Sequence, residues 1–220
     1  MSDGESILAR IREALTLKAA ARHGVGLPTV SEHRRVLPSV GESVEEQFEL
    51  FARNSVELKA TFRLMSDEAQ IHAELQRLVR VEQWQRVAAH SGALALGAVR
   101  ATGLPTLVTT GGYDKFELEQ CDVGITECDA LIAQTGTVLV TSRSAGGRAL
   151  SCLPPHHVVV ARREQLVSDL PAALALVKER YADDYPSMIS FITGPSRTGD
   201  IERILVLGAH GPKQLTILCF

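Results

Sequence analysis

The sequence has few cysteines, and they lie far apart. Four occur in 220 residues, namely Cys121, Cys128, Cys152 and Cys219. Their gaps form no CxxC pair, no zinc-ligand set and none of the closely spaced runs that hold iron–sulfur clusters. We therefore predict that the chain carries no metal and no other cofactor, and that all four thiols are small buried hydrophobic groups.

An excess of positive charge and long apolar runs are also missing. Lys plus Arg number 23 against 26 Asp plus Glu, a formal net charge of −3. Without a basic patch, nucleic acid is not an expected partner. No apolar run approaches the roughly 18 residues of a membrane-spanning helix, and the first residues lack the features of a signal peptide. We therefore expect a cytoplasmic protein with no membrane-spanning segment.

We divide the sequence into an N-terminal helix and arm, residues 1–41, and an α/β domain, residues 42–220. Apolar residues at helical spacing predict a helix over Ser6–Ala21. The stretch from His23 to Gly41 contains several glycines and prolines and predicts an extended arm. Because neither segment is needed to complete a sheet, we expect this region to dock on the body of the protein, another subunit or a partner chain.

From Ser43 onward, helical segments alternate with short apolar runs. Ser43 and Glu46 have the spacing of a capping box at the start of the first such helix. Continuous apolar runs are typical of strands buried on both faces, and sheets of such strands are usually parallel with covering helices. We therefore predict an α/β fold with a mostly parallel sheet sandwiched between helices. The clearest runs are residues 130–133, 138–140, 157–160, 188–192, 204–207 and 215–218.

The first candidate ligand site is the turn Thr135-Gly136-Thr137. In such a turn, backbone N–H groups and two hydroxyls can converge on a carboxylate or phosphate, and Gly136 permits close approach. Asp129, a few residues earlier, is a further candidate contact. The alternative is a threonine-rich hairpin turn that binds no ligand.

The second candidate site is the segment Gly146-Gly147-Arg148. A glycine pair lets the backbone bend sharply, and Arg148 offers a planar fork for a carboxylate or phosphate. The alternative is an exposed hairpin with a solvated arginine. His156 and His157 follow, and alternation along a strand predicts that one faces inward and the other outward. We therefore expect no metal site built on both histidines.

The third and strongest candidate site is the loop after residue 192. Its Gly-Pro-Ser turn follows a predicted strand, and open α/β sheets bind ligands at the carboxyl ends of their strands. Asp200 and Glu202 are candidate catalytic acids or bases, and the alternative for Asp200 is to cap a helix or turn. The candidate ligand contacts are Gly194, Ser196, Arg197 and Thr198.

A further catalytic candidate is His210, which lies in the loop between the last two predicted strands. Its imidazole brings a group that titrates near neutral pH into this loop. We expect a catalytic role if the loop folds back toward Ser196 and Asp200, and a hydrogen-bonded structural role otherwise.

Three motifs together resemble the signature of the LUD-domain family. They are Ile125–Thr137 with its Thr-Gly-Thr end, Gly194-Pro195-Ser196-Arg197-Thr198-Gly199-Asp200-Ile201-Glu202, and His210-Gly211-Pro212. The resemblance runs from about residue 40 to the carboxyl end and points to the lactate-utilization protein C type. It implies a NagB/RpiA/CoA-transferase-like fold. One residue departs from the pattern, because Gln134 stands where the resemblance leads us to expect an acid, and an amide cannot exchange a proton near neutral pH.

The resemblance implies a role in oxidising L-lactate to pyruvate together with two other gene products that carry iron–sulfur centres. Because side chains cannot accept a hydride and no Gly-x-Gly-x-x-Gly follows a predicted strand, we expect electrons to travel in those partners. The leading hypothesis is a cluster-free accessory subunit that binds the iron–sulfur subunits and a small carboxylate or phosphate. The alternatives are a stand-alone enzyme of the CoA-transferase or sugar-phosphate-isomerase-like class and a non-catalytic protein that senses a metabolite.

Overall fold

The computed structural model describes residues 3–16, 39–198, 206–208 and 210–220. The chain divides into two compact units, Met1–Leu37 and Pro38–Phe220. In the first unit, helix α1 spans Asp3–Thr16 and exposes Ile7, Leu8 and Ile11. The rest of the predicted helix, residues 17–21, and the predicted arm up to residue 38 lie outside the described residues. The predicted division at residues 41 and 42 stays a prediction.

The second unit alternates helices and strands along the chain. The helices are α2 (Val44–Glu57), α3 (Glu68–Glu82), α4 (Ala93–Thr102), α5 (Lys115–Glu119) and α6 (Leu170–Arg180), with 3₁₀ turns at Ala133–Thr135 and Arg163–Gln165. The strands are β1 (Thr61–Leu64), β2 (Val87–Ala89), β3 (Thr106–Val108), β4 (Val123–Thr126), β5 (Ala130–Ile132), β6 (Thr137–Thr141), β7 (His156–Ala161), β8 (Leu166–Val167), β9 (Ile189–Ile192), β10 (Arg197–Thr198), β11 (Val206–Leu207) and β12 (Gln214–Cys219).

The central sheet has six parallel strands in the order β1-β12-β7-β4-β2-β3. On one face it packs against α3 and α4, with Leu75 and Val99 in the same buried cluster as Val158. On the other face it packs against α2 and a second sheet, with Phe51 and Leu131 beside Val159. The predicted α/β fold with a mostly parallel, helix-flanked sheet is confirmed.

The second sheet has four strands in the order β8-β5-β6-β9, and β6 is antiparallel to both β5 and β9. The apolar runs at 130–133, 138–140 and 188–192 therefore do not join the parallel sheet, contrary to the prediction. A short turn joins β5 to β6, and only antiparallel strands allow so short a connection. The runs of β5 and β6 are nevertheless continuous because α6 covers one face of these strands and the central sheet covers the other. In β9, Ile189 and Phe191 are exposed.

The start of α2 has the predicted capping box. The backbone N–H of Glu46 donates to the Ser43 hydroxyl at 3.2 Å, and the backbone N–H of Ser43 donates to the Glu46 carboxylate at 3.1 Å. Two N–H groups at the helix start thereby gain partners.

Within the described part of the chain, no helix combines the length and the apolar character needed to cross a membrane.

Candidate functional site

The candidate site is a cavity of about 190 Å³ between the two sheets of the second unit. His157 and Leu215, which pair across β7 and β12, come from the central sheet. The rest comes from β9, from Met188 just before it and from three loop segments. The lining residues are Ser151, Cys152, His157, Met188, Ser190, Ile192, Thr193, Gly194, Pro195, Ser196, His210, Gly211, Pro212 and Leu215.

Three residues predicted from the sequence meet in this cavity: Gly194, Ser196 and His210. The loop that carries His210 folds back onto the Gly-Pro-Ser turn, where the backbone N–H of Ser196 donates to the Pro212 carbonyl at 2.9 Å. His210 is exposed and Ser196 is half-buried. Asp200 and Glu202 lie outside the described residues, so that their catalytic role stays a prediction.

The Gly-Pro-Ser turn does not follow a strand of the parallel sheet, contrary to the prediction. The turn follows β9, which belongs to the second sheet and runs antiparallel to β6. The rule about carboxyl ends of open parallel sheets therefore does not apply to it. The cavity lies instead near the first residues of β7 and β12, because His157 and Leu215 are the second residues of those strands.

Arg197 and Thr198 form β10, and Arg197 is exposed and does not line the cavity. Arg148 is exposed, and its guanidinium donates to the Ser187 carbonyl at 2.6 Å. This bond ties the Gly-Gly segment to the residues before β9. These three residues stay candidate ligand contacts only by prediction.

The Thr135-Gly136-Thr137 turn packs against α2. The Asn54 amide donates to the Ala133 and Gln134 carbonyls at 2.9 and 3.0 Å. Gly136 has φ of +61°, and a Cβ there would stand 2.8 Å from the Cβ of Asn54. The Thr137 hydroxyl lies 2.9 Å from that of Thr193, which lines the cavity. The turn thus joins β5 to β6 as a hairpin held by a helix, and ligand contact there stays a prediction.

Asp129 is buried, and side chains from three positions donate to its carboxylate. Oδ1 accepts from Arg180 at 2.9 Å and from the Tyr181 hydroxyl at 2.6 Å, and Oδ2 accepts from the Ser144 hydroxyl at 2.6 Å. The carboxylate therefore joins the start of β5 to the end of α6 and to the loop after β6. This arrangement favours a structural role, and the predicted ligand contact has no support in it.

Sequence reasoning missed His157 as a site residue. Its Nε2 lies 2.8 Å from the Thr126 hydroxyl, and its Nδ1 is buried without a hydrogen-bond partner. Burial, and then the neighbouring His156, lower the pKa of His157 from 6.5 to about 3. The ring is therefore neutral at physiological pH, and one of its two nitrogens is buried without a partner.

His156 mirrors this arrangement on the opposite face of β7. Its Nε2 lies 2.9 Å from the Thr216 hydroxyl, its Nδ1 also has no partner, and burial lowers its pKa to about 4. The expectation that one of the two histidines faces outward is wrong, because β7 is an interior strand with both faces covered. Within the described ranges, no group of three or more His, Cys, Asp or Glu could hold a metal ion.

The prediction of four buried cysteines is wrong for Cys152, which is exposed; Cys121, Cys128 and Cys219 are buried. Cys152 lies in a turn, where its backbone N–H donates to the Ala149 carbonyl at 3.0 Å. Burial raises the pKa of Cys219 to about 12 and also raises that of Cys128. Cys152 is therefore the accessible thiol among the four, and it lines the cavity.

A glycine lets the turn with Cys152 reach the sheet. Gly124 pairs with His157 in the β4–β7 register, and a Cβ at Gly124 would stand 2.4 Å from the Leu150 carbonyl oxygen. Only a glycine allows the backbone at Leu150 to lie this close. The close approach brings Ser151 and Cys152 beside His157 at the cavity.

Part of the chain matches a known domain family. Residues 114–219 match the model of the LUD domain family, and the match includes every residue that lines the cavity. The predicted resemblance to the LUD-domain family is thereby confirmed.

Proteins similar to this chain include several called Lactate utilization protein C. The one from Geobacillus sp. (strain WCH70) is 39% identical over 102 residues, which are 46% of this chain and 42% of the relative. The one from Anoxybacillus flavithermus (strain DSM 21510 / WK1) is 36% identical over 110 residues, 50% of this chain and 49% of the relative. The chain thus spans less than half the length of these relatives.

A solved structure shares the fold. The crystal structure of a DUF162 family protein from Deinococcus radiodurans has a TM-score of 0.62 and 22% identity, and the match covers 81% of this chain and 99% of that one. At this identity the likeness shows the fold alone.

Proposed function

We propose that this protein acts in lactate utilization, as a subunit of a system that oxidises L-lactate to pyruvate. The observation that carries the proposal is the identity to Lactate utilization protein C, which is 39% over 102 residues in one relative. The part of the chain that matches the LUD domain family, residues 114–219, contains every residue that lines the cavity. The small, partly polar cavity supports the proposal because a small organic acid would fit it.

The electrons of the reaction belong to other chains in this proposal. Oxidation of a 2-hydroxy acid needs a cofactor or cluster as electron acceptor, because side chains do not accept a hydride. The sequence has four widely spaced cysteines and no strand-linked Gly-x-Gly-x-x-Gly. Iron–sulfur subunits are therefore the partners we propose, with this chain as their cluster-free accessory subunit.

Anaerobic purification of the tagged full-length protein from its native host tests this role. Iron–sulfur proteins should co-elute, and the eluate should reduce an electron-accepting dye when L-lactate is added. Stripping this chain from the eluate should abolish dye reduction. A chain that elutes alone, from an extract that retains lactate-dependent dye reduction, would contradict the proposal.

Removal of the residues before Gly41 is expected to abolish co-elution while the midpoint of thermal unfolding of the remaining domain stays nearly unchanged. Helix α1 exposes Ile7, Leu8 and Ile11, and such an apolar stripe is typical of a surface that packs against a partner. Co-elution tests the loss of partner binding, and calorimetry measures the midpoint of thermal unfolding. Loss of folding in the truncated chain, or undiminished co-elution, would show that the segment has another role.

A further inference from the structure

We propose that the groove between α2 and the edge strand β1 is the surface through which two copies of this chain form a two-fold symmetric dimer. In this dimer, Arg163 of each copy pairs with Glu49 of the other. The groove shares no lining residue with the cavity described above, and the dimer has no part in the proposed function.

β1 leaves one edge of the central sheet open. It pairs with β12 on one side, and within the described residues no strand pairs with it on the other. Such an edge offers backbone N–H and C=O groups to a further strand, and charge on an edge strand normally blocks that pairing. The one charged residue of β1 is Arg63, and its Nε lies 3.0 Å from the Glu74 carboxylate. Its charge therefore does not oppose the approach of a second copy.

An apolar groove of about 400 Å³ lies beside this edge. Phe48 and Ala52 of α2 and Phe62 and Leu64 of β1 contribute its apolar lining. Leu64 is 39% exposed. A second copy that covers the groove removes this surface from water, and burial of apolar surface is the dominant favourable term in most protein association.

The groove also carries charges of both signs. Glu45, Glu49 and Arg163 line it and are exposed. Within the described ranges, none of the three takes part in an ion pair. The Arg163 guanidinium lies over the ring of Phe48, 5.7 Å from its centre. A groove with acids alone would favour a basic partner, whereas this groove is complementary in charge to itself.

This self-complementarity favours a second copy as the occupant. A two-fold axis brings one residue of the first copy against another of the second and repeats the contact in reverse. A single Glu–Arg contact therefore occurs twice. Glu49 is the acid we assign to it, because Glu45 lies in the first turn of α2 and interacts favourably with that helix end. The two β1 strands would then run antiparallel and join the two six-stranded sheets edge to edge.

Sedimentation velocity of the full chain from low to high micromolar concentration measures the dissociation constant of the dimer. Glu49→Arg and Arg163→Glu each place two pairs of like charges in the interface and should raise this constant by about 100-fold. Glu57→Arg changes an acid of α2 outside the groove and should leave the constant unchanged. Circular dichroism checks that each variant is folded, which we expect because all three side chains are exposed.

Mixing the variants distinguishes a second copy from any other occupant. An equimolar mixture of the Glu49→Arg and Arg163→Glu chains should form a heterodimer, because each contact then joins an arginine to a glutamate. The double variant Glu49→Arg/Arg163→Glu should dimerise like the wild type for the same reason.

Three results would overturn the proposal: a wild-type chain that stays monomeric, a dimer that neither single substitution weakens, and a mixture of the two variants that stays monomeric. If the wild-type chain is monomeric and the same substitutions abolish co-elution of an iron–sulfur protein, the groove binds that partner and the dimer is wrong.

Discussion

The free energy of unfolding is expected to fall steeply between pH 6.5 and pH 4. The pKa of His156 is lowered to about 4 and that of His157 to about 3, in both cases chiefly by burial. In the unfolded chain both rings take up protons near pH 6.5, whereas in the native protein His156 takes up a proton near pH 4 and His157 near pH 3. The unfolded state therefore binds more protons as the pH falls, and each ring lowers the free energy of unfolding by about 3 kcal/mol across this window.

Urea titrations monitored by circular dichroism at pH 7 and at pH 4.5 measure this loss. The double variant His156→Gln/His157→Gln should show a much smaller difference between the two pH values, because glutamine does not titrate. Carboxylates such as Glu74, whose pKa is lowered mainly by Arg77, contribute to both proteins and cancel in the comparison. If the free energy of unfolding depends equally on pH in the wild type and in the double variant, the claim that both buried histidines are neutral in the native protein is contradicted.

Asp129→Asn is expected to cost about 3 kcal/mol of stability. The carboxylate is 2% exposed and accepts hydrogen bonds from Arg180, Tyr181 and Ser144. Breaking a buried ion pair costs roughly 3–5 kcal/mol, and the lower end applies because the Arg180 side chain is 45% exposed and can regain water. The amide also presents a donor where the carboxylate presented only acceptors.

The surface pair Arg143–Asp184 offers a matched control. Asp184 is 79% exposed, and exposed ion pairs contribute about 0–1 kcal/mol. Asp184→Asn should therefore change the free energy of unfolding little in the same denaturant titration. Equal effects of the two substitutions would show that Asp129 does not join the elements around it.

Local patterns were sufficient to predict several elements. The Ser43 and Glu46 spacing gave the capping box because its bonds join residues three apart. Four of the apolar runs form buried strands, whereas Ile189 and Phe191 in the run 188–192 are exposed. The apolar runs could not assign strands to sheets, because β6 and β7 are both fully buried although β6 belongs to the mixed second sheet and β7 to the parallel one.

The candidate site was only partly predictable because it depends on contacts far apart in the sequence. Gly194, Ser196 and His210 were found from their motifs, and they do line the cavity. Gly136 leaves room for Asn54, which lies about 80 residues earlier in the chain. His157 lines the cavity, contacts the Thr126 hydroxyl and pairs with Gly124, against which the backbone of Leu150 packs. These contacts depend on the register of β4 and β7, which the sequence does not reveal.

The central claim is that lactate oxidation requires this chain, and a deletion strain of the native host tests it most directly. Extracts of cells grown with L-lactate should lose lactate-dependent dye reduction when the gene is deleted, and the full-length gene should restore it. Growth on pyruvate should be unaffected, because pyruvate is the product of the proposed system. Undiminished lactate-dependent dye reduction in the deletion strain would contradict the account.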